Sequence, residues 1–385
     1  MTFKSRKLTT LLICIVLLGL LAACGRGDDT PEATPTPEPP VEAYETGQEY
    51  YQDYQDQDYY QEYYDELNEP PTMEESAYSD IHGLLSVVEY GQNRAYILGS
   101  IHVGRPEWYP LAEAVEAAIN RADIFAFEID LGAEGGPCLC EPGYCACECD
   151  PEAIECICLL LDLMFLPEGE TLETFLPAED YEIFMDYLRT FPVLLDVLAT
   201  IRPTTIMELI LYEIVAPMLG LSSEHSIDMY VFDRAEGLGR PIIGLTDFND
   251  HINFVSGMPD EYQFATARYF TDFESMMDEI YELAHIYEIQ DIQALTQMVA
   301  SDLAEAYEAY NAGELSAGGL ALARYWHYTV GNYRSDFFAR QIADLLTQTE
   351  EPTTFFVTVG IAHLTRELNV FYVLREMGFE VEGLY

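Results

Sequence analysis

Positive charge is scarce in this chain. Its 385 residues include 17 lysines and arginines against 68 aspartates and glutamates, which gives a formal net charge of −51. Lysine occurs only at Lys4 and Lys7, so arginine is the sole strong cation of the rest. So negative a surface is repelled by nucleic acid and anionic lipid, and we expect no nucleic-acid partner. The negative charge is compatible with a basic partner, with a bound cation or with an adaptation for solubility.

The N-terminus lacks an apolar run long enough for an ordinary membrane-spanning helix. A basic start precedes the short run from Leu8 to Leu21, as in a secretory signal. The run ends in Ala22-Ala23-Cys24, which resembles a bacterial lipobox and implies cleavage before Cys24 and lipidation of its thiol. We therefore expect a signal peptide over residues 1–23 and a lipid anchor in the bacterial cell membrane, facing outside the cytoplasm. The alternative is an uncleaved signal anchor with an incidental cysteine.

Residues 24–80 lack the aliphatic side chains that a core needs. Thr30 to Pro40 is rich in proline, glutamate and threonine, and Tyr50 to Glu66 repeats tyrosine, glutamine and acidic residues. This composition predicts a disordered tether. As a flexible coil of about 55 residues it would let the folded domain stand roughly 40 Å from the membrane. A tyrosine-rich acidic tract can also bind wall polymers or proteins, so a plain spacer is not the only interpretation.

The folded domain is expected to span residues 81–385 and to be of the α/β class. Leu84 to Leu98 reads as a β-hairpin around Gly91, and Leu111 to Ala122 has apolar residues at helical spacing. Ile124 to Ile129 is a further strand, so the order strand, helix, strand predicts a parallel sheet. We expect two α/β halves that contribute strands to a central, mostly parallel sheet around a large helical middle section. The later predicted elements are a helix at Ser226–Glu236 with Ser226 as N-cap, a strand at Pro241–Leu245, a strand at Phe355–Val359, a helix at Thr365–Met377 and a strand at Glu380–Leu384.

Two short matching motifs carry the chemical interest of the chain. Gly99-Ser100-Ile101-His102 and Gly360-Ile361-Ala362-His363 each follow a buried-type strand. Chance predicts about half a copy of such a GxxH motif in this composition, so two copies in strand context are informative. Ligands of open α/β sheets collect beyond the carboxyl ends of the strands, where both histidines are expected. The glycines permit a tight turn and a close approach of the backbone.

Glu128 is the expected third member of the site. It lies in the apolar strand Phe125 to Ile129, where a carboxylate is costly to bury unless it is paired or binds a metal, and Asp130 follows at the strand end. Two histidines and a carboxylate form a common set of divalent-metal ligands that acidifies bound water. Arg334 could bind a substrate carboxylate or stabilise an oxyanion. The structural alternative is that both histidines cap strand ends and Glu128 pairs with an arginine.

A family resemblance extends over about residues 84–385. Its blocks are Tyr96–Gly104, Tyr109–Leu111, Ala122–Glu128, Ile227–Tyr230, Arg240–Leu245 and Val357–Leu364. In this order they resemble the TraB/GumN family, which includes the Tiki metalloproteases. The resemblance implies that the two GxxH motifs and the glutamate form one catalytic or metal site. In Tiki relatives this site is associated with divalent-metal-dependent proteolysis of peptides or proteins.

The chain departs from the family pattern at two places. The family usually has Glu-Thr where this chain has Thr246-Asp247, so Asp247 either replaces the carboxylate or the role is lost. The family usually has Arg-Asn where this chain has Arg334-Ser335, so the arginine carries over and the asparagine does not. Both departures affect substrate handling more than the histidine pair.

Seven cysteines interrupt the pattern within residues 132–158, as an apparent insertion. They are Cys138, Cys140, Cys145, Cys147, Cys149, Cys156 and Cys158. Disulfides are the default outside the cytoplasm, although seven leaves one unpaired. A soft-metal site for zinc or copper(I) and reduced thiols in an anaerobic habitat are the alternatives.

The expected activity is that of a membrane-tethered, divalent-metal-dependent hydrolase, most simply a peptidase. His102, Glu128, His363 and Arg334 are the expected catalytic residues, and the first three are the expected ligands of a manganese-, cobalt- or zinc-class ion. Gly99, Gly360, Asp130 and Asp247 are expected to support the site or contact substrate. The alternatives are a binding lipoprotein that holds a metal, haem or signalling peptide without turnover, and a surface protein that sequesters or trims a peptide signal.

Overall fold

The computed structural model describes residues 79–129, 164–167, 169–190, 195–246, 258–269 and 273–384. Among them are the strands β1 (Ser86–Tyr90), β2 (Asn93–Ser100), β3 (Ile124–Ile129), β4 (Ile242–Thr246), β5 (Thr354–Gly360) and β6 (Val381–Gly383). They form one sheet in the order β4-β3-β5-β2-β1-β6. The strands β2, β3, β4 and β5 are mutually parallel, and β1 is antiparallel to β2 and β6. The predicted α/β fold is confirmed, whereas the predicted signal peptide, most of the tether and the cysteine insertion lie outside the described residues.

The central strands are buried along nearly their whole length. In β5 the five residues from Phe355 to Val359 are all buried, and in β2 only Arg94 is not fully buried. Continuous runs of apolar and β-branched residues are typical of parallel strands covered on both faces. The register places Ser100 of β2 opposite Gly360 of β5, so both GxxH motifs leave the sheet at the same edge.

Helices make up most of the remaining described chain. They are α1 (Glu113–Arg121), α2 (Leu172–Phe175), α3 (Ala178–Leu188), α4 (Leu195–Leu198), α5 (Pro203–Ile210), α6 (Ala216–Met218), α7 (Ile227–Leu238), α8 (Asp260–Tyr269), α9 (Phe273–Glu288), α10 (Ile292–Ala312), α11 (Ala317–Tyr325), α12 (Arg334–Gln348), α13 (Ala362–Thr365) and α14 (Val370–Glu376). Two π-helical segments, Leu211–Val215 and Trp326–Tyr333, connect α5 to α6 and α11 to α12. None of the helices in the described ranges is both long and apolar enough to span a membrane.

Two N-caps define helix starts that matter for the site. The Ser226 hydroxyl accepts a hydrogen bond from the Met229 amide at 3.2 Å, so α7 begins where its serine cap predicts. The prediction of one helix over Thr365–Met377 is wrong in its first part. Asn369 caps α14 by accepting from the Tyr372 amide at 2.8 Å, and residues 366–368, between the end of α13 and this cap, are not helical. Apolar periodicity alone did not reveal this stop.

The helix α12 packs across the sheet and fixes the position of its own first residues. It contacts β1, β2 and β4, and its buried stripe includes Phe338, Ile342 and Leu346, all fully buried. Burying a side chain of this size contributes about 1.5–3 kcal/mol. The anchored stripe holds Arg334 and Ser335, the first turn of α12, over the edge where β3 and β5 end.

Candidate functional site

Glu128 lies at the centre of the candidate site and both of its carboxylate oxygens are hydrogen-bonded. Oε1 accepts from the Gly360 amide at 2.8 Å, and Oε2 accepts from Arg334 Nη2 at 2.6 Å. The Glu128 and Arg334 side chains are only 11% and 6% exposed. Burial acts to raise the pKa of Glu128, but the charges of His363, Arg334 and His102 and the Gly360 bond lower it to about 2. Glu128 is therefore an anion at neutral pH.

His363 faces the same carboxylate from the other side. Its Nε2 atom lies 3.8 Å from Glu128 Oε1, and its Nδ1 atom lies 2.9 Å from Ser335 Oγ. The Phe338 ring meets the imidazole edge-to-face, with ring centroids 5.0 Å apart at 82°. Burial lowers the pKa of His363 to about 4, outweighing the opposing effect of Glu128. The imidazole is thus neutral at neutral pH and offers one nitrogen lone pair.

His102 is held by a carboxylate from a different element. Its Nδ1 atom lies 3.0 Å from Asp228 Oδ2, and Asp228 Oδ1 accepts from Ser100 Oγ at 2.6 Å. Burial acts to lower the pKa of His102, but Asp228 outweighs it and raises that pKa to about 9. The His102 side chain remains 59% exposed. It therefore lies in an open cleft, where the surrounding protein still affects its pKa. A carboxylate that binds one imidazole nitrogen orients the ring and leaves Nε2 for a metal or a proton.

The structure thus brings three of the four predicted catalytic residues into one contact network. Glu128, His363 and Arg334 meet directly, whereas the direct contact described for the His102 imidazole is with Asp228. His102 nevertheless belongs to the same electrostatic environment, because its charge acts on the pKa values of both Glu128 and His363. The pairing of Glu128 with an arginine, expected from the structural alternative, is also present.

The two motif glycines allow close packing rather than a left-handed turn. A Cβ atom on Gly99 would lie 2.2 Å from Ile361 Cδ1 and 2.9 Å from the Gly83 carbonyl oxygen. A Cβ atom on Gly360 would lie 3.3 Å from Glu128 Oε1. Gly99 therefore lets the β2 and β5 segments approach, and Gly360 leaves room for the Glu128 carboxylate. Neither glycine has a positive φ, so neither adopts the left-handed backbone conformation that favours glycine.

Sequence reasoning missed three residues that act at this edge of the sheet. Asp228 lies two residues after the Ser226 cap, in the block Ile227–Tyr230 that resembles the family. That position was the signal from which it could have been identified. Ser335 appeared only as a departure from the family pattern, yet it contacts His363. Glu208 of α5 gave no signal. Burial raises its pKa to about 7 against the lowering effect of His102, which places this carboxyl near the cleft.

Several predicted residues fall outside the described ranges. Asp130 and Asp247 immediately follow the described ends of β3 and β4, and Ile129 pairs with Thr246 in the register of those strands. Cys24 and the seven clustered cysteines also lie outside. Their predicted roles stay predictions.

A divalent cation fits the donor chemistry of the site. Within the described ranges, no three histidine, cysteine, aspartate or glutamate side chains form a ready metal site. Glu128 Oε1 and His363 Nε2, however, face each other at 3.8 Å as an anionic oxygen and a ring nitrogen of a neutral imidazole. Carboxylate oxygen and imidazole nitrogen are the donors that zinc, manganese and cobalt accept in proteins. These two residues are the groups that would hold the ion, and the third predicted ligand, His102, does not complete a three-ligand set with them in the described structure.

Comparison with known proteins places the chain in a family without adding a characterised relative. Neither the curated proteins nor the solved structures gave a match to this chain. A family model, the TraB/PrgY/gumN family, matches residues 84–383. That range includes both GxxH motifs, Glu128, Asp228 and Arg334, so the match covers the whole candidate site. The chain belongs to the TraB/PrgY/gumN family.

Proposed function

We propose that this protein is a membrane-tethered, extracytoplasmic hydrolase that cleaves peptides or proteins with the help of a divalent cation. The observation that carries the proposal is the approach of His363 Nε2 to Glu128 Oε1 at 3.8 Å in a buried setting. Both atoms can donate electron pairs at neutral pH, because the pKa values of Glu128 and His363 are lowered to about 2 and about 4. Two such atoms could bind a cation together or accept the proton of an attacking water.

The ion would supply Lewis-acid chemistry, polarising the scissile carbonyl and acidifying a water molecule. Arg334 keeps the Glu128 carboxylate ionised and fixed in orientation through its 2.6 Å bond. Asp228 fixes the His102 ring through Nδ1, so Nε2 is the atom left to bind the ion or to pass a proton to the leaving group. The exposure of His102 leaves this nitrogen accessible to a substrate in the cleft.

A binding lipoprotein is the second candidate, and one observation favours it. Both oxygens of Glu128 already accept hydrogen bonds from within the protein, one from Gly360 and one from Arg334. A carboxylate so fully satisfied is also suited to a fixed, non-catalytic centre that holds a metal or a ligand.

Metal analysis combined with peptide cleavage separates these functions. The full chain, purified in detergent, is assayed for bound manganese, cobalt and zinc and for cleavage of a mixed peptide library. A hydrolase binds about one ion per chain and cleaves, and His363→Ala loses both properties. His285→Ala is the matched control, because His285 is an exposed histidine of α9 stacked on Tyr281. Metal binding without cleavage supports the binding lipoprotein, and metal binding unchanged in His363→Ala contradicts the proposed centre.

The membrane tether is tested separately at Cys24. Wild-type protein expressed in a bacterium is expected to incorporate labelled fatty acid and to sediment with membranes. Cys24→Ser is expected to lose the label. Equal labelling of both proteins would exclude lipidation at this thiol.

A further inference from the structure

Ser335 contacts two groups with a single hydroxyl. Its Oγ atom lies 2.8 Å from the carbonyl oxygen of Gly331 and 2.9 Å from His363 Nδ1. A carbonyl oxygen can only accept, so the one hydroxyl proton of Ser335 points to Gly331. Ser335 Oγ is then an acceptor toward the imidazole, and His363 Nδ1 must carry the proton.

We propose that Ser335 is a positioning residue that fixes His363 in the tautomer with its proton on Nδ1. A neutral imidazole carries one N–H, so the lone pair is left on Nε2, which faces Glu128 Oε1. The use of that lone pair in hydrolysis rests on the proposed function, whereas the tautomer itself does not. Ser335 thereby decides whether Nε2 presents a lone pair or an N–H toward the side of the ring that faces Glu128.

The opposite tautomer would disrupt the surroundings of Ser335. With the proton on Nε2, the bare Nδ1 would need the Ser335 hydroxyl proton, and the Gly331 carbonyl would keep its bond from the Arg334 amide but lose the one from Ser335. The Ser335 and His363 residues are 0% and 7% exposed, so bulk water has little access to replace it. The hydrogen bond to Gly331 is therefore what selects the tautomer.

The position of the Gly331 carbonyl is itself constrained. Gly331 belongs to the π-helical segment Trp326–Tyr333, and a Cβ atom there would lie 1.5 Å from Arg366 Nη1. Arg366 Nε in turn donates to the Ala362 carbonyl at 2.9 Å, one residue before His363. The guanidinium thus packs the π-helical segment against the segment that carries the histidine. Mid-helix π segments are frequent at functional sites, where they redirect backbone groups.

The chemistry of the contact predicts which residues can replace Ser335. An asparagine has a side-chain carbonyl oxygen that can accept from Nδ1, so Ser335→Asn is expected to preserve the tautomer. An alanine offers no acceptor and frees the ring to take either form. Comparing Ser335→Asn with Ser335→Ala therefore shows whether the hydrogen-bond acceptor at this position fixes the tautomer.

The test is the tautomer of His363 in the metal-free full chain. The protein is labelled with ¹⁵N at its seven histidines, treated with a chelator and examined at pH 7 by long-range ¹H–¹⁵N spectroscopy, which distinguishes protonated from bare ring nitrogens. The His363 signals are assigned by their loss in His363→Gln. We expect protonated Nδ1 and bare Nε2 in the wild type and in Ser335→Asn, and at least a fivefold rise of the other tautomer in Ser335→Ala.

Each outcome decides the proposal. Protonated Nε2 in the wild type overturns it, and so does an unchanged Nδ1–H tautomer in Ser335→Ala. Should Ser335→Ala fail to fold, the wild-type spectrum and the Ser335→Asn spectrum still decide, because loss of the Nδ1–H tautomer in the asparagine variant also contradicts it. Absence of peptide cleavage alongside the expected tautomer would refute the hydrolase and leave this inference standing.

Discussion

The Arg334 guanidinium donates to Glu128 Oε2 at 2.6 Å although the two side chains are almost wholly removed from water. Two charges are costly to bury, and their attraction compensates only when the geometry is good and the remaining polar atoms are bonded. Here the second oxygen of Glu128 accepts from Gly360, and the Arg334 guanidinium lies 4.9 Å from the centre of the Phe338 ring. Glu128 therefore links its own strand β3 to β5 through Gly360 and to the start of α12 through Arg334.

Arg334→Met should lower the free energy of unfolding by about 3 kcal/mol at pH 7, because it leaves the Glu128 carboxylate buried without its cation. The wild-type pKa of Glu128, about 2, is below the value of 4.5 for an ordinary glutamate. Its stabilisation is present above pH 4.5 and is lost as the pH falls toward 2. The difference between wild type and variant should thus shrink between pH 7 and pH 3 in urea denaturation.

The control is Arg340→Met on the same helix, which removes the exposed i,i+4 pair with Asp336. This substitution should change stability far less. An equal loss for both variants, or a difference for Arg334→Met that does not depend on pH, would argue against a buried ion pair.

Asp228→Asn should lower the pKa of His102 from about 9 to its ordinary value of 6.5 or below, since Asp228 is the group that raises it. A raised histidine pKa contributes stability that is present below pH 6.5 and is lost as the pH rises through 9. With a ring 59% exposed to solvent, we expect the wild type to exceed the variant by only about 1 kcal/mol at pH 6, and by less at pH 10. NMR titration of His102 and denaturation at both pH values check this.

Ser100→Ala serves as the comparison, because it removes the hydroxyl that holds Asp228 and keeps the carboxylate charge. The pKa of His102 should stay well above 6.5 in that variant. A pKa of His102 that is unchanged in Asp228→Asn would refute the pairing.

Glu208→Gln should stabilise the protein at alkaline pH. Burial raises the pKa of Glu208 to about 7, so the folded state binds its proton more tightly than the unfolded chain does. Wild-type stability therefore falls as the pH rises from 4.5 to 7, and the glutamine variant escapes this loss. We expect a gain of about 2 kcal/mol at pH 8, and little difference at pH 4, in chemical denaturation. Glu213→Gln, at an exposed position shortly after it, should not reproduce the gain; an equal gain there would point to general charge repulsion.

Gly99→Ala and Gly360→Ala should differ in cost. A Cβ atom at position 99 would lie 2.2 Å from Ile361 Cδ1 and 2.9 Å from the backbone oxygen of Gly83, so the two segments would have to separate. At position 360 the nearest atom, Glu128 Oε1, would be 3.3 Å away and could shift slightly. We expect losses of about 3 kcal/mol for Gly99→Ala and about 1 kcal/mol for Gly360→Ala in thermal or urea unfolding. Equal losses, or the reverse order, would contradict this packing.

The strands and the motif positions were predictable because they depend on local sequence. Short apolar runs bounded by glycine and polar residues locate the strands, and Ile124–Ile129 agrees with the structure at both ends. The sequence also placed Glu128 and His363 at one sheet edge, because the carboxyl ends of parallel strands meet there.

The partners of these residues were not predictable, because tertiary packing brings them in from helices. Asp228 lies in the first turn of α7, and Ser335 is the second residue of α12, 28 positions before the histidine that it contacts. The local sequence pattern of either helix does not predict which of its ends faces the sheet edge. The prediction of helix from Thr365 failed for a related reason, since the cap at Asn369 overrides an apolar spacing that would have continued the helix.

The place of β5 in the sheet has a consequence for synthesis of the protein. This strand lies between β2 and β3 but follows both of them, and β4, in the chain. Gly360 is 232 positions from the glutamate to which it donates. While the chain grows on a ribosome, β2 and β3 thus have no common neighbour to join them until β5 emerges, after β4. The centre cannot assemble before β5 has emerged, so a polypeptide interrupted before β5 would carry His102 and Glu128 without the geometry that makes them a site.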